Sequence, residues 1–214
     1  MKTKTKALAV SLCAILLVVA SVMGTMAYLT SKTETVTNTF TVGNVQITLD
    51  EAKVNVDGKP VDKDDKVVEL ESAPRVDKND YKLMPGHEYT KDPTVHFAAG
   101  SEASYLFIRV DNGISGVLDP ATTIEDQIED NRWEKLAGVE CVYWMKVDAT
   151  NVKKDYPVFS GFKVNSNAVG GTGTEDTKIY LGNYEGKTIT VTAYAIQADG
   201  FDTAAAAWKA AEFE

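Results

Sequence analysis

The stretch SYLFIRV, residues 104–110, is the clearest strand in the sequence and decides the fold class. In an extended chain Tyr105 and Phe107 fall on one face, while Leu106 and Ile108 fall on the other. Apolar residues on both faces are typical of a strand that is covered on both sides. The sequence therefore predicts a central strand at this position.

Further strand-like segments with turn residues between them surround this stretch on both sides. They are residues 45–49, 94–97, 139–147, 158–164, 177–181 and 187–197, with a turn predicted near residues 155–157. Helical spacing is confined to two short segments, one capped by Thr122 or Thr123 and one capped by Asp202 or Thr203. Strands never alternate with long helices. We therefore expect an all-β fold, an antiparallel β-sandwich with short peripheral helices.

The N-terminus has the pattern of an export signal. A basic head with three lysines and no acidic residue precedes an apolar run over residues 7–23. Thr25 and Ala27 are the small residues that a signal peptidase accepts before its cut, so we predict a signal-peptide helix over residues 1–27 and a mature chain beginning at Tyr28. Cleavage after Gly24 is the weaker alternative.

A retained membrane anchor is the other interpretation of this segment. Its apolar run is at the lower limit of what spans a bilayer, and no basic cluster follows it. The prediction is therefore a protein that touches the membrane only before signal cleavage and is then secreted to the extracellular or cell-surface matrix.

Three segments resemble one known family. The junction GTMAY (residues 24–28), followed by NTF (38–40) and an alternating segment (43–49), is similar to the start of the TasA and camelysin proteins, which are secreted Gram-positive matrix proteins. The pattern Pro-Gly…Lys-Asp-Pro-x-Val over residues 85–95 and the ending AYAIQADGFDTAAAAW (193–208) also resemble that family. The resemblance implies processing by a dedicated signal peptidase and a jelly-roll sandwich over residues 40–214.

The polar, Thr-rich arm of residues 28–39 is the candidate for self-assembly. It has few apolar side chains to bury, and a sheet edge can accept a strand from another chain. The candidate donor-strand residues are Tyr28, Leu29, Val36 and Thr39. The leading hypothesis is a subunit of extracellular fibres or of a biofilm matrix, with the chain itself as partner. The alternative for the arm is a disordered terminus.

Charge and cysteine content narrow the function classes. Removing the three lysines of residues 1–27 takes the net charge from -9 to -12, which argues against nucleic acid and anionic lipid as partners. Cys13 lies in the predicted signal peptide and leaves Cys141 alone, so the mature chain has no intramolecular disulfide. We expect Cys141 to be a buried small apolar residue; an intermolecular bridge or a nucleophile is the alternative.

The two histidines give the only sharp metal hypothesis. His87 and Glu88 begin like the zinc-peptidase motif His-Glu-x-x-His, but Lys91 occupies the position of the second ligand. A lysine ammonium repels zinc, so His87, Glu88 and His96 are weak metal candidates, and we expect a turn residue at His87 and a strand side chain at His96. The family resemblance favours a peptidase, while this motif does not, and no catalytic residues are predicted.

Calcium is the other cofactor considered. The aspartates at 57, 62, 64 and 65 form an acidic group without the spacing of an EF-hand loop, so a solvated loop is expected and no cofactor is predicted. The runner-up function is a secreted monomeric module that binds a cell-surface ligand or glycan through aromatic residues such as Trp133, Trp144 and Tyr184. A camelysin-like metallopeptidase is the third.

Overall fold

The computed structural model describes residues 30–32 and 44–213. Over these ranges the chain consists mostly of β-strands in antiparallel sheets, with two short α-helices, so the all-β prediction is confirmed. The strands are β1 (Thr30–Lys32), β2 (Ile47–Ala52), β3 (Arg75–Val76), β4 (Glu88–Thr90), β5 (Thr94–Phe97), β6 (Ser104–Asn112), β7 (Glu134–Lys135), β8 (Val142–Val147), β9 (Lys154–Pro157), β10 (Gly161–Lys163) and β11 (Ile189–Gln197). The helices are α1 (Ile124–Asp130) and α2 (Ala204–Ala211).

The larger sheet has five strands in the order β1-β11-β6-β8-β7. Strand β6 contains residues 104–110 and lies in the middle of this sheet, as predicted. It pairs with all nine residues of β11 on one side and with β8 on the other. Its apolar side chains on both faces are buried, because the second sheet covers one face and α2 packs on the other.

The second sheet has four strands in the order β3-β2-β5-β9, and β4 pairs with β10 in a separate two-stranded ribbon. Val95 and Phe97 of β5 meet Leu106, Ile108 and Ala193 of the larger sheet in one hydrophobic core. Burying large side chains of this kind stabilises a fold by about 2 kcal/mol each. This shared core fixes the face that each strand turns inward.

The opposite face of the five-stranded sheet forms a second core under α2. Phe107 and Tyr194 contact Trp208 of the helix, with ring centroids 5.1 and 5.5 Å apart. Thr203 begins the helix by accepting a hydrogen bond from the backbone N–H of Ala206, at 3.2 Å. The predicted cap is confirmed here, and Thr123 caps α1 in the same way.

Three local expectations differ from the structure. Residues 155–157, predicted as a turn, belong to β9, because the half-buried Tyr156 packs against the core beside Val95 when this segment pairs with β5. The predicted strand at 177–181 contributes only one bridge, from Tyr180 to Val169, before a turn of 3-10 helix. Cys141 is exposed rather than buried, since it lies in a left-handed turn (φ +60°) just before β8.

Candidate functional site

One edge of the five-stranded sheet is formed by β1, which belongs to the N-terminal arm. Strand β1 pairs antiparallel with β11, so that Thr30 lies opposite Ile196, Ser31 opposite Ala195 and Lys32 opposite Tyr194. Among the described residues, this pairing covers three of the nine positions of β11 on that side, whereas β6 covers all nine on the other. The first half of β11 therefore continues the same edge beyond β1.

A cleft of about 960 Å³ opens beside this first half of β11. Ile189, Thr190 and Val191 line one wall, and β2 with the segment 77–83 lines the opposite wall. Phe162 contributes to the floor. The cleft thus lies between the two sheets, at the edge where the arm enters.

An ion pair is buried at the β2 wall of this cleft. The Lys91 Nζ atom lies 2.6 Å from Glu51 Oε2, and the two side chains are only 11% and 6% exposed. The other carboxylate oxygen of Glu51 accepts a hydrogen bond from Asn79 Nδ2 at 2.8 Å. Tyr81 packs nearby, and burial together with the negative charge of Glu51 raises the pKa of its hydroxyl. Tyr81 therefore stays protonated.

A ladder of charged side chains crosses all four strands of the smaller sheet. Arg75 Nε lies 2.6 Å from Asp50 Oδ1, the same atom lies 2.8 Å from His96 Nε2, and His96 Nδ1 lies 2.6 Å from Asp155 Oδ1. Arg75 also bonds Asp92. The hydrogen bond from His96 lowers the pKa of the Asp155 carboxyl below its ordinary value. Both nitrogens of His96 are thus engaged by carboxylates.

The structure separates the three metal candidates. His87 is an exposed turn residue whose backbone N–H bonds Met84 O at 3.2 Å, and Glu88 begins strand β4 and pairs with Lys163. His96 lies in β5 within the charge ladder, and Lys91 is bound to Glu51. A zinc-peptidase motif needs its ligands on one helix, and this segment is a turn and a strand.

The described residues contain no group of three or more His, Cys, Asp or Glu side chains arranged to hold a metal ion. In the acidic loop, Asp62 accepts hydrogen bonds from the backbone N–H groups of Asp64 and Lys66, and Asp65 pairs with Lys53. These two carboxylates are used to shape the loop.

The other predicted site residues fall into two groups. The cleavage-site residues Thr25, Ala27 and Tyr28, and the donor-strand residues Leu29, Val36 and Thr39, lie outside the described residues. Of the aromatic candidates, Trp133 is fully buried and donates its indole N–H to Pro157 O at 2.9 Å, so it is a packing residue. Tyr184 is half-buried and lines the cleft.

Sequence reasoning missed the cluster of Glu51, Asn79 and Lys91. The three residues are separated by 28 and 12 positions, and only Lys91 had been singled out, as the residue that spoils a zinc motif. Glu51 lies between Asp50 and Ala52 in a charged segment beyond the predicted strand 45–49, so no local pattern marked it. Pairing it with Asn79 requires the path of the loop between β3 and β4.

Comparisons with known proteins give no family assignment: no family model matches the chain, and no curated protein or solved structure is significantly similar to it. Among the described residues, no helix has the length and apolar character needed to cross a membrane.

Proposed function

We propose that this chain is a secreted structural protein that builds extracellular fibres or a biofilm matrix by donating its N-terminal arm to the next subunit. The observation that carries the proposal is the pairing of Thr30–Lys32 with the edge of β11. Main-chain hydrogen bonds of this kind are the usual way in which an extended segment is added to a sheet. The arm thus has affinity for a surface that every copy of the chain carries.

The same edge can be filled by the chain's own arm or by the arm of a second copy. Both arms have the same sequence and make the same hydrogen bonds, so the choice depends on concentration and on the length of the connection. If each subunit gives its arm to the next, the contact is head-to-tail and produces a filament when it does not close into a ring.

The cleft gives the donated arm room to extend beyond β1. An arm that kept the register of β1 would place its Thr35 opposite Val191 and its Val36 opposite Thr190. Thr and Val are β-branched residues, which are favoured in β-strands. Donation over residues 30–37 would then extend the pairing along the first half of β11.

The proposal extends to four predictions made from the sequence. They are a signal-peptide helix over residues 1–27, cleavage before Tyr28 by a dedicated peptidase, a jelly-roll arrangement of the two sheets, and membership of a TasA-like family. Their support is the sequence segments quoted above. Cleavage would free the arm at the cell surface and so time the assembly.

Electron microscopy of three chains tests this function. We expect filaments from a chain beginning at Tyr28 and none from a chain beginning at Phe40. A third chain keeps the arm length but carries Gly-Ser-Gly in place of Thr30–Lys32, and it should also fail, since glycine weakens strand pairing. Filaments from all three would contradict strand donation, and their absence from all three would contradict assembly.

A glycan-binding module is the second candidate, favoured by the cleft itself. Its volume of about 960 Å³ lies within the range of small-ligand sites, and Tyr81 and Tyr184 line it. Binding to cell-wall fragments by a chain that stays monomeric, with loss of binding on Tyr184→Ala, would favour this function over assembly.

A further inference from the structure

The buried cluster of Glu51, Asn79 and Lys91 at the wall of the cleft contains the groups needed for a reaction between two of its own side chains. Glu51 is 5% exposed and binds two different side chains through its two oxygens, Lys91 through Oε2 at 2.6 Å and Asn79 through Oε1 at 2.8 Å. An amine and a carboxamide are thereby held against one carboxylate. A salt bridge needs only the lysine and the carboxylate, so the contact of the Asn79 amide with Glu51 is an additional feature.

The hydrogen bonds of Asn79 orient its amide for attack. Its Oδ1 accepts from the backbone N–H of Val54 at 2.9 Å, and its Nδ2 also donates to Ala52 O at 2.9 Å. A backbone N–H aimed at a carbonyl oxygen stabilises the negative charge that develops when the carbonyl carbon is attacked. The backbone N–H of Val54 is therefore placed like the oxyanion-hole donor of an acyl-transfer site.

Aromatic rings lie beside the ion pair of Lys91 and Glu51. The Tyr81 ring lies 6.0 Å from Lys91 Nζ, and Phe162 packs against Tyr81 with ring centroids 5.4 Å apart. Burial beside aromatic rings keeps bulk water away from the two side chains. Passing one proton along the 2.6 Å hydrogen bond leaves a neutral amine, which is the nucleophilic form of lysine.

From this geometry we infer that Lys91 and Asn79 form an intramolecular isopeptide bond, with Glu51 as the general acid and base. Lys91 gives one proton to Glu51, and the neutral Nζ attacks Cγ of Asn79. Glu51 then donates that proton to Nδ2 and accepts a second one from Nζ. The Cγ–Nδ2 bond breaks and Nδ2 leaves as ammonia, so that no oxidant, reductant or other reactant is needed.

The cleft allows the leaving group to escape, since Glu51, Asn79 and Lys91 all line it. The new amide would join the segment before β4 to the residue that follows β4, beside the wall of the cleft. Proximity of this kind converts a slow reaction between two side chains into a fast one. The inference does not depend on fibre assembly, because the bond forms within one chain.

Tryptic mapping of the purified full chain tests the bond directly. Trypsin would normally release NDYK (residues 79–82) and LMPGHEYTK (residues 83–91). With the isopeptide bond, both peptides disappear, because acylated Lys91 is not a cleavage site. In their place a branched species appears, in which NDYK is attached to residues 83–109, lighter by one ammonia than the sum of its parts.

Three variants assign the roles. Glu51→Gln keeps the shape but removes the acid and base, and Lys91→Arg removes the nucleophile, so both should restore release of NDYK. Lys53→Arg alters a lysine in the exposed pair with Asp65 and should leave the branched species unchanged. Release of NDYK and LMPGHEYTK as separate peptides from the chain without substitutions overturns the inference, whatever result the variants give. A branched species in Glu51→Gln overturns the role of Glu51.

Discussion

At the scale of single residues, His96 is the best example of a side chain whose role depends on its neighbours. Alone it looked like a weak metal ligand, but its two nitrogens lie 2.6 and 2.8 Å from carboxylate oxygens on β9 and β2. The imidazole therefore ties three strands together.

The shifted pKa of Asp155 predicts how this ladder responds to acid. The hydrogen bond from His96 lowers the pKa of Asp155 in the folded protein below its ordinary value of 3.8. A lowered folded pKa means that the carboxylate stabilises the fold above pH 3.8, and that this contribution is lost as the pH falls through the folded pKa.

Asp155→Asn should therefore destabilise the protein at neutral pH and much less at the acid end of the range. We expect a cost of about 1 kcal/mol or less, because the Asp155 side chain is 56% exposed and its charge is screened by water. Urea unfolding of both chains from pH 3 to pH 7 measures the difference, and Lys178→Ala, in a separate exposed pair, is the control. A difference that grows with acidification would contradict the ladder.

At the scale of elements, α2 shows how a short helix depends on its cap and on its packing face. Ala204, Ala207 and Trp208 are buried against the five-stranded sheet. A helix of eight residues has little stability of its own, so the cap and the packing decide whether it forms.

The cap predicts a measurable effect for Thr203. Thr203→Ala leaves the N–H of Ala206 without its side-chain acceptor and should lower the free energy of unfolding by about 1 kcal/mol. Thr203→Ser keeps the hydroxyl and should recover most of it. The measurement is thermal or urea unfolding, followed by tryptophan fluorescence. Equal loss in both variants would show that the methyl group, and not the cap, matters.

The sequence predicted elements whose causes are local and failed where the cause is distant. Strand β6 and the caps of both helices follow from side-chain alternation and from Thr at a helix start. Residues 155–157 read as a turn because Asp and Pro dominate locally, while the pairing of Tyr156 with Val95 is decided by the sheet. The Glu51 cluster was invisible for the same reason, since its members meet only after folding.

At the scale of the whole molecule, two features of the chain converge on one edge. The sequence offered the polar arm as a candidate strand donor, but it did not indicate an acceptor, because β11 had no distinguishing pattern at its edge. The fold places β1 on β11 and opens the cleft beside the rest of that strand. We propose that a second copy of the chain supplies this strand in the assembled protein.

Disulfide trapping between different subunits tests whether a second copy of the chain supplies the strand. Ser31 and Ala195 lie opposite each other, and paired antiparallel residues have the Cα spacing that a disulfide needs. We would mix Ser31→Cys chains with Ala195→Cys chains, both beginning at Tyr28 and carrying Cys141→Ser. Thr192→Cys, about 10 Å further along the strand, replaces Ala195→Cys in the control.

We expect covalent dimers in the mixture, few in the control, and a ladder of larger species when both cysteines are in one chain under filament-forming conditions. If the mixture stays monomeric while the double variant forms only a disulfide within its own chain, the arm belongs to its own subunit, and strand donation is contradicted.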